Sequence, residues 1–177
     1  MKFAHLISLL LLLSYWSCGN GPELPETGEV QGMRPIYFAT EDIREIHSLP
    51  AQPIEELGKI YYKDEQIYVT ERARGVHIID NTDPANPERI RFLSIPGVND
   101  VNIKNSILYA DNVSDLVAID ISDLENIMVT KRIENAYRLN ETNFPEGFSG
   151  FFECVDPSRG TIIGWESALL VNPQCQR

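Results

Sequence analysis

The chain has 177 residues, 43% of them hydrophobic and 23% charged, so it is long enough for one or two small globular domains. Fifteen basic residues against 26 acidic ones give a formal net charge of −11. A surface this acidic repels nucleic acid and anionic lipid headgroups, which excludes nucleic-acid binding. A cation or a basic partner would suit the charge, although solubility is the simpler explanation.

Residues 1–17 are typical of a signal peptide. Lys2 provides a positive start, and the apolar stretch from Phe3 to Trp16 is shorter than the ~20 residues that cross a bilayer. The following residues 17–20 (SCGN) resemble the junction of a bacterial lipoprotein signal, in which the cysteine carries the lipid. We expect Cys18 to be the lipid attachment site of a protein anchored in the bacterial cell envelope, at the outer membrane. Plain cleavage without a lipid is the alternative.

The next two segments contain few strand signals. Residues 18–34 are rich in Gly, Pro and Glu, and this composition predicts a flexible tether. Residues 35–56 are predicted to hold a short N-terminal helix and a linker. Thr40 would cap the helix, and Ile43 and Ile46 would share one of its faces.

From Leu57 the hydrophobic period changes to two residues, which predicts eight short antiparallel strands in two repeats, 57–96 and 97–136. Asp80 aligns with Asp120 at a spacing of 40, and Tyr68 aligns with Tyr109 at 41, so the repeats differ by one residue in between. Four short strands in about forty residues are typical of a β-propeller blade. The predicted fold class is therefore mainly β and propeller-like, with a two-sheet sandwich as the alternative.

The two repeat segments also carry a family resemblance. The stretches GVHIIDNTDPANPERI and DLVAIDISDLENI resemble the LVIVD repeat, and the resemblance extends roughly from Ile36 to Glu166. It implies a Bacteroidota-type lipoprotein with propeller-like repeats and no established chemistry. Because a propeller closes with at least four blades, two repeats would make an arc, a small autonomous variant or a truncated copy.

Residues 137–177 are predicted to form an aromatic loop and a C-terminal strand pair. We identify the aromatic residues as a candidate binding loop: Tyr137, Phe144, Phe148, Phe151 and Phe152. An exposed loop of this kind would recognise a ligand, but a lid over the open sheet is the favoured interpretation.

Two cysteines remain once Cys18 carries a lipid. Cys154 and Cys175 are 21 positions apart, and the oxidising environment of an exported protein favours a disulfide between them. Two unpaired buried thiols are the alternative. No Cys-x-x-Cys motif or histidine cluster accompanies them, so we expect no metal site at these cysteines.

The sequence offers one set of candidate catalytic groups. Glu153, Asp156 and Glu166 lie near aromatic residues, as do the paired carboxylates of glycoside hydrolases. Asp156 is also a natural turn former. The acidic loops at 80–83 and 111–115 lack the spacing of a calcium loop, and turn capping explains them better.

These observations favour binding or scaffolding at the cell envelope, without catalysis and without a cofactor. The expected partners are the membrane, through the lipid, and a protein or glycan ligand. The alternative is an envelope glycoside hydrolase or another hydrolase that uses the carboxylates near residues 153–166.

Overall fold

The computed structural model describes residues 28–137 and 143–177. They form a mainly β protein in three separate sheets, none of which closes into a barrel. The strands are β1 (Glu29–Phe38), β2 (His47–Pro50), β3 (Leu57–Lys63), β4 (Gln66–Glu71), β5 (Gly75–Asp80), β6 (Glu88–Ser94), β7 (Val101–Lys104), β8 (Ile107–Asn112), β9 (Asp115–Asp120), β10 (Met128–Ile133), β11 (Phe151–Phe152), β12 (Thr161–Val171) and β13 (Cys175–Gln176). A 3-10 helix covers Pro157–Arg159. No helix in the described ranges has the length and apolarity that crossing a membrane requires.

The first repeat forms an antiparallel meander of four strands, β3 to β6, and β2 adds a fifth strand beside β6. The β3–β4 hairpin turns at Asp64 and Glu65, whose φ angles of 49° and 61° lie in the left-handed region. Two consecutive left-handed residues match the twist of the flanking strands. The hairpin therefore forms without glycine.

The second repeat forms a matching meander of four strands, β7 to β10. The one-residue difference between the repeats lies in the turn after the second strand. In the first repeat Glu71 pairs with Gly75 across three turn residues, whereas in the second Asn112 pairs with Asp115 across two. All the other turns within the two meanders align.

The turns between the third and fourth strands share the same hydrogen bonds. In each turn an aspartate accepts the backbone amide two residues later, and so does a second aspartate three positions on. The four pairs are Asp80–Thr82, Asp83–Ala85, Asp120–Ser122 and Asp123–Glu125. Hydrogen bonds from side chains and amides of the turns lower the pKa of all four carboxyls. These carboxylates therefore serve as turn caps.

The main hydrophobic core lies between the two meanders. Its residues come from both: Tyr68, Val76, Ile78, Leu93, Ile95, Val98, Val101, Ile103, Leu108, Ala110, Val117, Ile119 and Ile121. Ile46, from the segment before β2, packs against the edge of this core. The two repeats thus bury one sheet face each against the other, which is the main source of stability for such short strands.

The third sheet joins strands from both ends of the described chain, in the order β12-β1-β11-β13. β1 pairs antiparallel with β12 along its whole length and parallel with β11 at Met33 and Phe152. A disulfide joins Cys154 to Cys175, with their Cα atoms 5.3 Å apart, and so ties the segment after β11 to β13. These are the two cysteines for which the sequence predicts a disulfide.

Two sequence expectations fail around β1. The predicted helix after Thr40 is absent, because residues 40–44 form turns in which Asp42 donates to Ala39 and Glu45 donates to Asp42. The tether expected through residue 34 overlaps β1, which begins at Glu29. The local Gly and Pro content favours a coil, but pairing with β12 overrides it. The predicted C-terminal strand pair is part of a larger sheet, because β11 pairs with β13 on one side and with β1 on the other.

Candidate functional site

A cavity of about 270 Å³ lies between the first meander and the third sheet. Its walls are formed by Glu55, Glu56, Glu71, Arg74, Glu166 and Ser167. The turn after β4 brings Arg74 to this position, and β12 supplies the residues of the third sheet. Four carboxylates and one guanidinium line the cavity, and Arg34 and Arg72 also pair with two of these carboxylates, so most of the negative charge is balanced within the chain.

Glu71 connects the cavity to a buried histidine. The carboxylate of Glu71 lies 2.5 Å from Nε2 of His77, and the two side chains are 5% and 0% exposed. They meet because β4 and β5 are neighbours and both side chains point to the same face of the sheet. An ionised carboxylate can only accept, so Nε2 carries the proton and donates it.

The opposite side of the His77 ring lies in apolar surroundings. Nδ1 is buried and has no hydrogen-bond partner, and the ring packs at 4.7 Å from the ring of Phe92. A proton on Nδ1 would be a buried donor without an acceptor, which is costly. The geometry therefore favours the tautomer of His77 that carries its proton on Nε2. The link between His77 and Glu71 was not predicted, although a glutamate and a histidine on two strands that flank a short turn are a signal for it.

Glu166 is held by two arginines. One carboxylate oxygen accepts from Arg34 at 3.0 Å and the other from Arg74 at 3.0 Å. Arg74 also reaches Glu55 at 3.2 Å. Both oxygens of Glu166 are thus engaged by positive groups, an arrangement that suits a structural bridge between the sheets.

The three candidate catalytic carboxylates do not converge. Glu153 accepts from Arg159 at 2.6 Å, and Asp156 accepts from the amide of Ser158 at 2.9 Å. Hydrogen bonds from the hydroxyl and the amide of Ser158 lower the pKa of Asp156. Of the three, Glu166 alone lines the cavity.

The aromatic residues of the candidate binding loop separate into two groups. Tyr137 is 47% exposed, and Phe144 is half-buried beneath the guanidinium of Arg177. Phe148 is half-buried as well. Of these three residues, Tyr137 is the most exposed and therefore the most accessible to a ligand.

Phe151 and Phe152 form β11 and are each 6% exposed, so assigning them to a binding loop is wrong. They pack inside the third sheet, where the ring of Phe152 meets Trp165 edge to face. An aromatic pair buried in this way stabilises the sheet and is closed to a ligand.

A second buried polar group lies at the far end of the second meander. Asp115, 2% exposed, accepts from Arg132 at 2.9 Å and from the amide of Asn135 at 2.9 Å, and pairs with Arg44 at 3.3 Å. Burial opposes its ionisation, but the Asn135 amide and the two arginines hold the pKa of Asp115 below its ordinary range. Asn112 completes the network by accepting from Arg132 and donating to the carbonyl of Ile43. The network fixes the 40–46 segment to the second meander.

Cys18 lies outside the described residues. No group of three or more metal-ligating side chains comes together in residues 28–137 and 143–177. No family model, curated protein or solved structure matches this chain.

Proposed function

We propose that the chain is a lipid-anchored protein of the bacterial cell envelope, attached at the outer membrane through Cys18, that binds or scaffolds a partner without catalysis. The proposal includes LVIVD-type repeats stacked as in a β-propeller. Its main support is the structural similarity of the two repeats, whose aspartate turns make the same hydrogen bonds forty positions apart.

The packing of the meanders supports the propeller-like part of this proposal. Each repeat is a four-stranded antiparallel sheet, and one face of the first is buried on one face of the second. The first strands of the two sheets also approach each other, since the Tyr61 hydroxyl of β3 donates to the Ile103 carbonyl of β7. Blades of a propeller pack face to face with their first strands innermost.

The state of the carboxylates favours binding over hydrolysis. A general acid must hold a proton that it can donate, and a nucleophile must be free to attack. Glu166 is neutralised by two arginines, Glu153 binds Arg159, and Asp156 caps a turn. The rival function, an envelope hydrolase, has one observation in its favour, namely that Glu71 and Glu166 line the same cavity.

The partner class follows from charge and surface. The net charge of −11 suits a protein with a basic patch or a neutral glycan, and disfavours nucleic acid. The acidic cavity and Tyr137 are the accessible features that such a partner would meet.

The anchor is tested by cell fractionation. Cys18→Ser should move the protein from the membrane pellet to the soluble fraction, because the lipid is its attachment. Cys175→Ser is the matched control, since it also replaces a cysteine and breaks the disulfide but leaves the anchor, and it should stay in the pellet. Unchanged membrane attachment of the Cys18 variant would refute the lipid anchor.

Binding and hydrolysis are separated by a second experiment. The purified chain and its Glu166→Gln variant are incubated with envelope glycans, and released reducing ends are measured beside retention of the glycan or a cross-linked envelope protein. Binding predicts retention by both chains without release. Release by the wild type that disappears in the variant would establish the hydrolase instead.

A further inference from the structure

The two repeats present the same two faces, and each repeat keeps part of one face open within the chain. We call the face of the second meander that packs on the first meander its front face, and the face of the first meander in this contact its back face. The corresponding faces of the other repeat carry the same names. The front face of the second meander is covered at its first strand. Val98, just before the first strand, and Val101 and Ile103, within it, are 0%, 7% and 4% exposed.

The counterparts of these residues in the first repeat are open. At the spacing of 41 that aligns the first hairpins, they are Leu57, Ile60 and Tyr62. All three are apolar and lie on one side of β3, yet they are 58%, 69% and 61% exposed. The first repeat therefore has an apolar front surface that lacks the sheet which covers its counterpart.

The opposite end of the stack shows the complementary situation. Tyr68 and Leu93 are 4% and 0% exposed on the back face of the first meander. Their counterparts on the second meander, Tyr109 and Ile133, are 38% and 51% exposed. Between them lie the half-buried Leu116 and Ala118, which correspond to the buried Val76 and Ile78. The second repeat thus offers an open back face of the kind that the chain covers elsewhere.

Charged residues that attract each other at the existing interface also have counterparts of complementary charge. Lys59 pairs with Asp100 at 2.5 Å between the repeats, and Asp100 is itself the counterpart of Lys59. A further repeat in the same register would again place a lysine opposite an aspartate. Arg91 pairs with Glu125 and attracts Asp123, and the corresponding residues Lys131 and Asp83 keep the same signs, so they would also attract each other across a further junction.

We propose that two copies of this chain associate head to tail, with the back face of the second meander of one copy covering the β3 surface of the first meander of the other. The new junction would bury at β3 the positions whose counterparts are buried within the chain, and it is reciprocal, because each copy offers one surface of each kind. It rests on the repeat stacking of the proposed function, but needs neither the lipid nor a ligand.

The remainder of the first front face is already covered, which limits the junction to β3 and its surroundings. Residues 51–56 connect β2 and β3, which lie at opposite edges of this sheet. Along the way Gln52 accepts from Arg89, and Glu55 pairs with Arg74. His77 on this face is fully buried by its own chain.

The test is sedimentation of the full chain in a density-matched detergent, with one substitution on each surface. Ile60→Glu alters the front surface, and Ile133→Lys alters the back surface. The wild type should sediment as a dimer, and each variant alone as a monomer. An equimolar mixture should recover a dimer, because the front of one variant and the back of the other are intact and the junction that carries both substitutions has opposite charges.

Leu169→Glu is the control, since Leu169 is 57% exposed on β12, outside both surfaces, and this variant should remain dimeric. A wild type that stays monomeric up to its solubility limit overturns the proposal. Loss of the dimer in only one of the two variants would also overturn it, because it indicates association of like surfaces. Urea unfolding of the same samples distinguishes failure of the dimer from failure of the proposed repeat stacking. A folded monomer with normal stability would retain the stacked repeats of the proposed function.

Discussion

Replacing Asp115 with asparagine should destabilise the protein by about 2 kcal/mol. The hydrogen-bonded pair with Arg132 is mostly buried, and a hydrogen bond to a charged group contributes about 1.5–3 kcal/mol. Arg44 is half exposed, so its attraction adds less than about 1 kcal/mol. Asparagine still accepts the amide of Asn135, which offsets part of the loss.

Urea unfolding at neutral pH measures this change as a fall in the midpoint of about 1 M. Asp120→Asn is the matched control, because it removes one negative charge from an exposed turn whose cap asparagine can also form. The control should stay within about 0.5 kcal/mol of the wild type. A change that small at position 115 would refute the view that the carboxylate organises this network.

The cost of Asp115→Asn should also depend on pH. The pKa of Asp115 is lower in the folded protein than its ordinary value of 3.8. A lowered pKa means that the ionised group stabilises the fold above the unfolded pKa, and that this stability is lost as the pH falls through the folded pKa. The difference between wild type and variant should therefore be constant above about pH 5 and shrink below 3.8. A difference that persists unchanged at lower pH would show that the charge is not its cause.

Three further substitutions test the packing. Replacing both Cys154 and Cys175 with serine should cost about 3 kcal/mol, the value expected for a loop of this length, and urea unfolding without reductant checks it against the wild type. Leu108→Ala, in the core between the meanders, should cost about 2–5 kcal/mol, whereas Leu169→Ala on the surface should change stability by less than about 0.5 kcal/mol. Gly97→Ala should cost about 1–3 kcal/mol, because φ is +75° and the added Cβ would lie 2.8 Å from the backbone of the neighbouring loop; a neutral result would show that the loop moves aside.

The two meanders could be predicted from the sequence because every pairing within them is local. Each strand bonds to the next one along the chain, and turn residues such as Asp80 mark where one strand ends. Alternation of apolar residues then fixes which side chains face the core. The same local logic located the one-residue difference between the repeats.

The third sheet and the cavity could not be predicted in this way. Arg34 and Glu166 are 132 positions apart, and no sequence pattern around β1 indicates which strand it pairs with. Glycine and proline in β1 favour a coil locally, and only pairing with β12 makes it a strand. The cavity depends on the same pairing, because β12 brings Glu166 to Arg74.

The position of β1 between β11 and β12 has a consequence for the timing of synthesis. Ribosomes make β1 first, but both of its neighbours are made only after the two meanders are complete. In that interval the meanders can fold from local contacts, whereas β1 has no strand to bond with and offers its backbone to chaperones. We therefore expect this sheet to close after the meanders have folded, and resistance to proteases should be acquired at that moment.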